Sequence, residues 1–111
     1  MSLSIMIDYD NTYTADVEMW RNVIPLFKLW GHNVYLVTSR GMDTPVELVQ
    51  DFVDWGIPII YCEYRAKKTV CQEQGIDISI WIDDDPYYIT TGFVTDDVPL
   101  TLLKEIEKDY R

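Results

Sequence analysis

The chain has 111 residues, of which 48% are hydrophobic and 25% charged, close to the usage of an average globular domain. No linker-like or repeated stretch divides it, so we predict one domain spanning residues 1–111, large enough to bury a core of its own. The formal net charge of −10 argues against general binding to nucleic-acid backbones or anionic membranes.

The first ten residues contain no basic region, and their apolar run is short. They fit neither a signal peptide nor a membrane span, so we expect a cytoplasmic protein without a membrane partner. Cys62 and Cys71 lack the close spacing of a redox or zinc pair. Buried free thiols are the favoured interpretation.

The first predicted elements are a strand and a helix. Residues 3–7 form an apolar run that stops at Asp8. This pattern is typical of a buried strand whose following residue lies in a crevice at the strand end. Apolar spacing predicts a helix over 17–30, in which Pro25 either introduces a kink or begins a second helix. Gly31 ends the helical pattern in either case.

The next predicted elements are a second strand, over 33–37, and a helix with clear terminal signals. Thr44 and Glu47 have the spacing of a capping box, and Pro45 would occupy the first helical position. Gly56 stands where a C-terminal glycine belongs.

The rest of the chain continues the alternation of strands and helices. It contains predicted strands at 57–62 and 78–82, helices at 67–74 and 99–110, and a short edge strand at 93–94. This alternation predicts a three-layer α/β/α, Rossmann-like domain with a mainly parallel central sheet. Ligands of such sheets bind beyond the carboxyl ends of the strands, where Asp8, Thr38 and Asp83 are predicted to lie.

Carboxylates are concentrated at two of these strand ends. Asp8 and Asp10 follow the first strand, and residues 83–85 are three consecutive aspartates after another buried strand. Like charges this close are costly unless a cation or a proton relieves the repulsion. A hard divalent cation with oxygen ligands would relieve it, and Mg2+ is the usual one where phosphate is the substrate.

Four motifs follow one another along the chain: Asp8-Tyr9-Asp10-Asn11-Thr12, Val34-Tyr35-Leu36-Val37-Thr38, Lys67 or Lys68, and Ile80-Trp81-Ile82-Asp83-Asp84. They cover about three quarters of the chain, and in this order they resemble the motifs of the haloacid dehalogenase superfamily. The resemblance implies the fold of that superfamily and a Mg2+-dependent phosphohydrolase that forms an aspartyl-phosphate intermediate.

The resemblance also implies roles for individual residues. Asp8 would be the nucleophile and Asp10 the acid and base, while Thr38 and Lys67 would hold the phosphoryl oxygens. The Mg2+ ligands would be Asp8, the backbone carbonyl of Asp10 and Asp83. Asp84 would support them as an indirect or water-mediated ligand. Thr12, Ser39, Arg40 and Lys68 complete the expected site as substrate-binding residues.

Some alternatives stay open at this point. Lys67 is preferred over Lys68 because the family commonly places this lysine at the start of a short helix, about eight residues before its terminal glycine. Thr38 is preferred over Ser39 because it is the first hydroxyl after the hydrophobic run. Asp85 is either a ligand or a surface charge.

The spacing of the motifs leaves no room for a cap domain, because about 30 residues separate Asp8 from Thr38 and about 30 separate Thr38 from Lys67. An uncovered site requires a large substrate, a substrate that closes the site itself, or loops or another subunit that hold it. The expected partner is a phosphorylated small molecule or a nucleic-acid end, with nucleotides and polynucleotide end phosphates as the favoured substrates. Arg40 and Arg65 lie near the predicted mouth and could bind a second phosphate there. The alternative function is a catalytically inactive acidic module that binds a protein or mimics nucleic acid.

Other residues are expected to be less informative. His32 is predicted in an exposed loop. The tryptophans at positions 20, 30, 55 and 81 are predicted in the core. The tyrosines at 9, 13, 87 and 88 flank the acidic motifs and are candidates to line the entrance of the site.

Overall fold

A computed structural model describes residues 2–92. The predicted elements at 93–94 and 99–110 lie outside the described residues. The described strands are β1 (Ser4–Ile7), β2 (Asn33–Thr38), β3 (Ile59–Tyr61) and β4 (Ile80–Ile82), and the helices are α1 (Val17–Leu29), α2 (Gln50–Asp54), α3 (Lys67–Glu73) and α4 (Tyr87–Thr90). A wide turn (Tyr9–Tyr13) follows β1, and a 3-10 turn (Val46–Val49) precedes α2.

The four strands form one parallel sheet in the order β3-β2-β1-β4. The chain steps from β1 to β2 to β3 in one direction and then returns to place β4 on the other side of β1. Open parallel sheets bind ligands where the strand order reverses in this way, beyond the carboxyl ends. Here that point lies between β1 and β4.

Two hydrophobic cores lie on opposite faces of the sheet, because alternate side chains of a strand point to opposite faces. Ile5 and Ile7 pack with Trp20 of α1 and Phe52 of α2. Met6, between them in sequence, packs instead with the residues of α3 on the other face. The expectation of an α/β fold with a parallel sheet and helices on both faces is therefore confirmed for the described residues.

Helix α1 is a single helix that contains Pro25, so a second helix does not begin there. The Asp16 side chain accepts a hydrogen bond from the backbone N–H of Met19 at 3.1 Å and caps the helix. Gly31 follows with a φ of 82°, the left-handed conformation that glycine adopts without steric cost. Its predicted role as the helix terminator is confirmed.

The predicted capping box at Thr44 and Glu47 is wrong. The Thr44 hydroxyl donates to the carbonyl of Gly41 at 2.6 Å and closes a turn, so it is not available to cap a helix. Pro45 has an extended ψ of 133°, and the chain continues as the 3-10 turn before α2 begins. A local turn that satisfies the same hydroxyl has replaced the cap.

The burial of two tryptophans and of the two cysteines can be compared with the predicted core. Trp20 is buried, but Trp30 is 79% exposed because it lies beyond the last turn of α1, so its predicted core position is wrong. Cys62 and Cys71 are buried free thiols, as expected. Burial raises the pKa of Cys62 to about 12 and that of Cys71 to about 11, which keeps both in the thiol form.

His32 is half-buried, and its Nδ1 accepts a hydrogen bond from the backbone N–H of Leu3 at 3.0 Å. It fixes the start of β1 against the α1–β2 connection and lies at the amino ends of the strands. Within residues 2–92, no helix is long and apolar enough to cross a lipid bilayer.

Candidate functional site at the carboxyl edge of the sheet

Asp8, Thr38 and Asp83 lie at the carboxyl ends of three neighbouring strands. Asp8 follows β1 directly, and its backbone N–H donates to the carbonyl of Ile82 at 3.0 Å, which extends the pairing of β1 with β4. Asp83 follows β4, and Thr38 is the last residue of β2. The sheet thus brings together the polar residues that the sequence places after its buried strands.

Lys67, the first residue of α3, joins two of these strand ends. Its Nζ lies 2.7 Å from Oδ1 of Asp8 and 2.6 Å from Oδ2 of Asp83. The side chains of all three residues are at most 2% exposed. One ammonium is therefore shared between two buried carboxylates, which together carry one more negative charge than it neutralises.

The electrostatics of this cluster are dominated by burial. Desolvation raises the pKa of Asp8, and the hydrogen bond and charge of Lys67 only partly oppose that effect. Desolvation alone would lower the pKa of Lys67, but Asp8 and Asp83 outweigh it and raise the pKa. The ammonium is thus held in its charged form.

Lys68 is exposed, whereas Lys67 is 1% exposed and contacts both acids. Because a helix turns about 100° per residue, adjacent lysines at the start of α3 point in different directions. Of the two lysines left open by the sequence, the structure brings Lys67 to Asp8 and Asp83.

Thr12 connects the wide turn to the end of β4. Its hydroxyl donates to Oδ2 of Asp8 at 3.0 Å and accepts a hydrogen bond from the backbone N–H of Asp84 at 3.0 Å. The backbone carbonyl of Thr12 also accepts from the indole N–H of Trp20 at 2.9 Å. Thr12 was expected to bind substrate, and in the structure its hydroxyl orients the nucleophile candidate.

The wide turn has an irregular backbone that places Asp10 beside the site. Asp10 is extended, and Asn11 has a left-handed φ of 61°, which Asn adopts more readily than most residues. The backbone N–H of Tyr13 reaches back to the carbonyl of Asp8 at 3.1 Å and closes the turn. Asp10 therefore extends away from the strand axis and faces the loop after β2.

Asp10 and Arg40 form a two-pronged ion pair. The Nε and Nη2 of Arg40 donate to the two carboxylate oxygens of Asp10 at 2.9 and 2.8 Å. The guanidinium carbon lies 5.5 Å from the centre of the Tyr9 ring, and the Arg40 side chain is only 9% exposed. Arg40 was expected to bind substrate, but two of its nitrogens are bound to Asp10.

The loop after β2 is held by the loop after β3. The backbone N–H groups of Cys62 and Tyr64 donate to the carbonyls of Thr38 and Ser39, both at 2.8 Å. Tyr64 and its neighbour Glu63 have left-handed φ values of 65° and 51°, unusual for residues other than glycine. This strained loop fixes the end of β2 relative to the start of α3.

The two hydroxyls at the end of β2 differ in their contacts. The Thr38 hydroxyl accepts a hydrogen bond from the backbone N–H of Arg40 at 3.2 Å, and its own proton remains to be donated. The Ser39 hydroxyl is buried and makes no hydrogen bond to any residue of the described part of the chain. Both residues are 1% exposed. Two buried hydroxyls at the end of β2, the strand next to β1, thus have a proton to donate.

Asp8, Asp83 and Asp84 have the donor set of a site for a hard cation. One carboxylate oxygen from each lies within 4.8 Å of the others. Mg2+ binds oxygen ligands at about 2.0–2.1 Å, so opposite ligands lie about 4 Å apart, and it commonly retains several waters. Three carboxylates, of which Asp84 is exposed, fit that ion.

The side chain of Asp85 is exposed, and its backbone N–H donates to Oδ1 of Asp83 at 3.0 Å.

The tyrosines that flank the acidic motifs differ in exposure. Tyr9 and Tyr13 are largely buried between α1 and α2 and also line a cavity there, whereas Tyr87 is 61% exposed. Arg65 forms an ion pair with Glu73 at 2.7 Å.

Comparison with family models, with curated proteins and with solved structures found no match for this chain.

Proposed function

We propose that the protein is a Mg2+-dependent phosphomonoesterase of the haloacid dehalogenase type, without a cap domain, that acts through an aspartyl-phosphate. The observation that supports this most directly is the buried bridge of Lys67 between Asp8 and Asp83, beside two hydroxyls at the end of β2. A carboxylate, an ammonium and hydroxyl donors converge where the strand order reverses. Phosphoryl transfer requires a nucleophile and fixed donors for the phosphoryl oxygens.

In the proposed reaction, a carboxylate oxygen of Asp8 forms a bond to phosphorus while the bond from phosphorus to the leaving oxygen breaks. Water then attacks the aspartyl-phosphate, which releases inorganic phosphate and regenerates Asp8. Asp8, Asp83 and Asp84, with the backbone carbonyl of Asp10, would hold Mg2+, which when bound would supply positive charge to offset that of the phosphoryl oxygens. Thr12 and Lys67 orient the Asp8 carboxylate from its two oxygens.

Asp10 is the proposed proton donor to the leaving oxygen and the acceptor of a proton from water. Arg40 holds both oxygens of Asp10 and therefore sets the direction in which its carboxyl group points. Lys67 and the hydroxyls of Thr38 and Ser39 bind the phosphoryl oxygens as their charge is redistributed.

The test of the proposed function is the release of inorganic phosphate from 4-nitrophenyl phosphate by the purified chain, with Mg2+ and with EDTA. We expect hydrolysis in Mg2+ that EDTA suppresses at least tenfold, because the single charge of Lys67 cannot neutralise three carboxylates that would face an anionic ester. The variant Asp85→Asn serves as a control, since that side chain is exposed, and should keep most of the activity. A wild type without Mg2+-dependent hydrolysis of any phosphate ester would contradict the proposal and favour the inactive acidic module.

The Arg40–Asp10 pair gives a second prediction. The variant Arg40→Lys keeps the positive charge but cannot bind both oxygens of Asp10 in the same geometry. The Asp10 carboxyl group should therefore no longer be held in its native orientation. We expect kcat to fall at least tenfold for an alkyl phosphate, whose leaving oxygen must be protonated. The loss should be much smaller for 4-nitrophenyl phosphate, whose leaving group is a stable anion. Equal losses for both esters would show that Arg40 does not act through Asp10, and Arg65→Lys is the matched control.

A further inference from the structure

A cavity of about 270 Å3 lies at the same edge of the sheet as the acids. It is formed where the wide turn, the start of α1 and the segment before α2 meet. Its volume is close to the lower end of the range of about 300–1,000 Å3 for ligand pockets, so it suits part of a ligand. The lining residues are Tyr9, Tyr13, Val17, Arg21, Glu47, Leu48, Gln50 and Asp51.

Tyr9 connects this cavity to the proposed acid. Its ring lines the cavity, and the guanidinium of Arg40, which holds Asp10, lies over the same ring. Burial raises the pKa of Tyr9; smaller effects come from Arg40, which lowers it, and from Asp10 and Asp51, which raise it. A group in the cavity would lie against the tyrosine ring that also contacts Arg40, the partner of the proposed proton donor Asp10.

The charges that line the cavity disfavour an anion. Arg21 is the one cation among the described lining residues, and its Nε is bound to Asp51 at 2.9 Å. The Tyr13 hydroxyl donates to the same carboxylate, while Glu47 adds another negative charge. The apolar surface comes from the two tyrosine rings with Val17 and Leu48.

We propose that this cavity binds the alcohol portion of the substrate, and that it selects monophosphate esters of neutral, ring-bearing alcohols, such as a nucleoside, over esters that carry a second phosphate. This inference rests on the proposed phosphomonoesterase function and narrows its substrate class. Aromatic and aliphatic walls bind a ring, and the excess of carboxylates repels another phosphate. A polynucleotide end is accordingly a poor substrate.

A smaller cavity of about 140 Å3 lies at the amino ends of the strands, on the opposite edge from the acids.

The test compares kcat/KM for methyl phosphate and uridine 5′-monophosphate, two esters of primary alcohols. The variant Leu48→Trp places an indole at the cavity wall, and Leu48 is 41% exposed, so the chain has space to fold around it. We expect the preference for the nucleotide over methyl phosphate to fall at least tenfold. The control Leu26→Trp changes an exposed position on α1 outside the cavity and should leave the preference unchanged. A preference unaltered by Leu48→Trp would overturn the inference.

A second variant tests the charge argument. Glu47→Lys should raise kcat/KM for uridine 3′,5′-bisphosphate at least threefold relative to uridine 5′-monophosphate, because it replaces a repelling charge with an attracting one. An unchanged ratio would contradict the proposed class of alcohol.

The failure of the inference is distinguishable from failure of the proposed function. If the wild type hydrolyses none of these esters, the proposed function fails. The cavity assignment is then tested by calorimetric measurement of the affinity of the Asp8→Asn protein for uridine 5′-monophosphate. Adding the substitution Leu48→Trp to this protein should weaken that affinity at least tenfold. Equal binding by both proteins would overturn the cavity assignment.

Discussion

Replacing Asp8 with Asn is expected to lower kcat for phosphate esters on the order of a thousandfold or more, while the protein remains folded. An amide oxygen is a poor nucleophile, and loss of a nucleophile removes the covalent route altogether. The side chains are nearly equal in size, and Asn still offers an oxygen to the Thr12 hydroxyl. The loss should appear in single-turnover measurements of phosphate release, with no phosphorylated protein trapped on acid quenching.

The stability of this variant separates a chemical from a structural role. In the wild type, the Lys67 ammonium is shared between two buried carboxylates. The variant Asp8→Asn leaves one ammonium, on Lys67, paired with one carboxylate, on Asp83. Because burial raises the pKa of Asp8, the folded protein binds its proton more tightly than the unfolded chain and loses stability as the pH rises toward that pKa. At pH 8 the variant should therefore be at least as stable as the wild type in EDTA. An inactive variant that is also largely unfolded would contradict this argument.

The sequence predicted the strand-end acids because their signal is local. A run of apolar residues that ends in an acid, as at Ile7 and Asp8 or at Ile82 and Asp83, marks a buried strand and its carboxyl end. Parallel pairing then brings separate strand ends to one edge without further information. Gly31 and Gly56, predicted to follow the helices, are likewise local features, and both have left-handed φ values.

The contacts of Arg40 could not be predicted in the same way. Its partner Asp10 is 30 positions away, and the pair depends on the extended Asp10 and left-handed Asn11 of the wide turn. A lone arginine near a predicted crevice fits a substrate clamp as well as a buried ion pair. The available signal was its position directly after two strand-end hydroxyls, which indicates the edge of the sheet but not the partner.

The segment before α2 has a residue pattern that is compatible with two local structures, a helix cap and a turn. Thr44 has the right spacing for a helix cap, but its hydroxyl closes a turn with Gly41. One local hydrogen bond has thus replaced another, and the spacing of the residues alone does not decide between them. Asp51 of α2 contacts Arg21 and Tyr13, which are distant in sequence, and all three residues line the cavity beside the acids.

Replacing Lys67 with Met is expected to have the opposite effect on stability from Asp8→Asn. The variant leaves Asp8 and Asp83 buried together without the ammonium that bridges them, and breaking a buried ion pair in this way typically costs about 3–5 kcal/mol. Met keeps most of the aliphatic volume, so little of the loss should come from a cavity. Chemical denaturation at pH 7.5 in EDTA measures the free energy of unfolding.

The matched control is Lys68→Met, which changes the same residue type one position along α3 at an exposed site and should alter stability little. Added Mg2+ should restore more stability to Lys67→Met than to the wild type, because an ion that binds only the folded state stabilises it, and the uncompensated carboxylates attract it more strongly. Equal Mg2+ effects on the two proteins would mean that the cation does not bind beside Asp8 and Asp83.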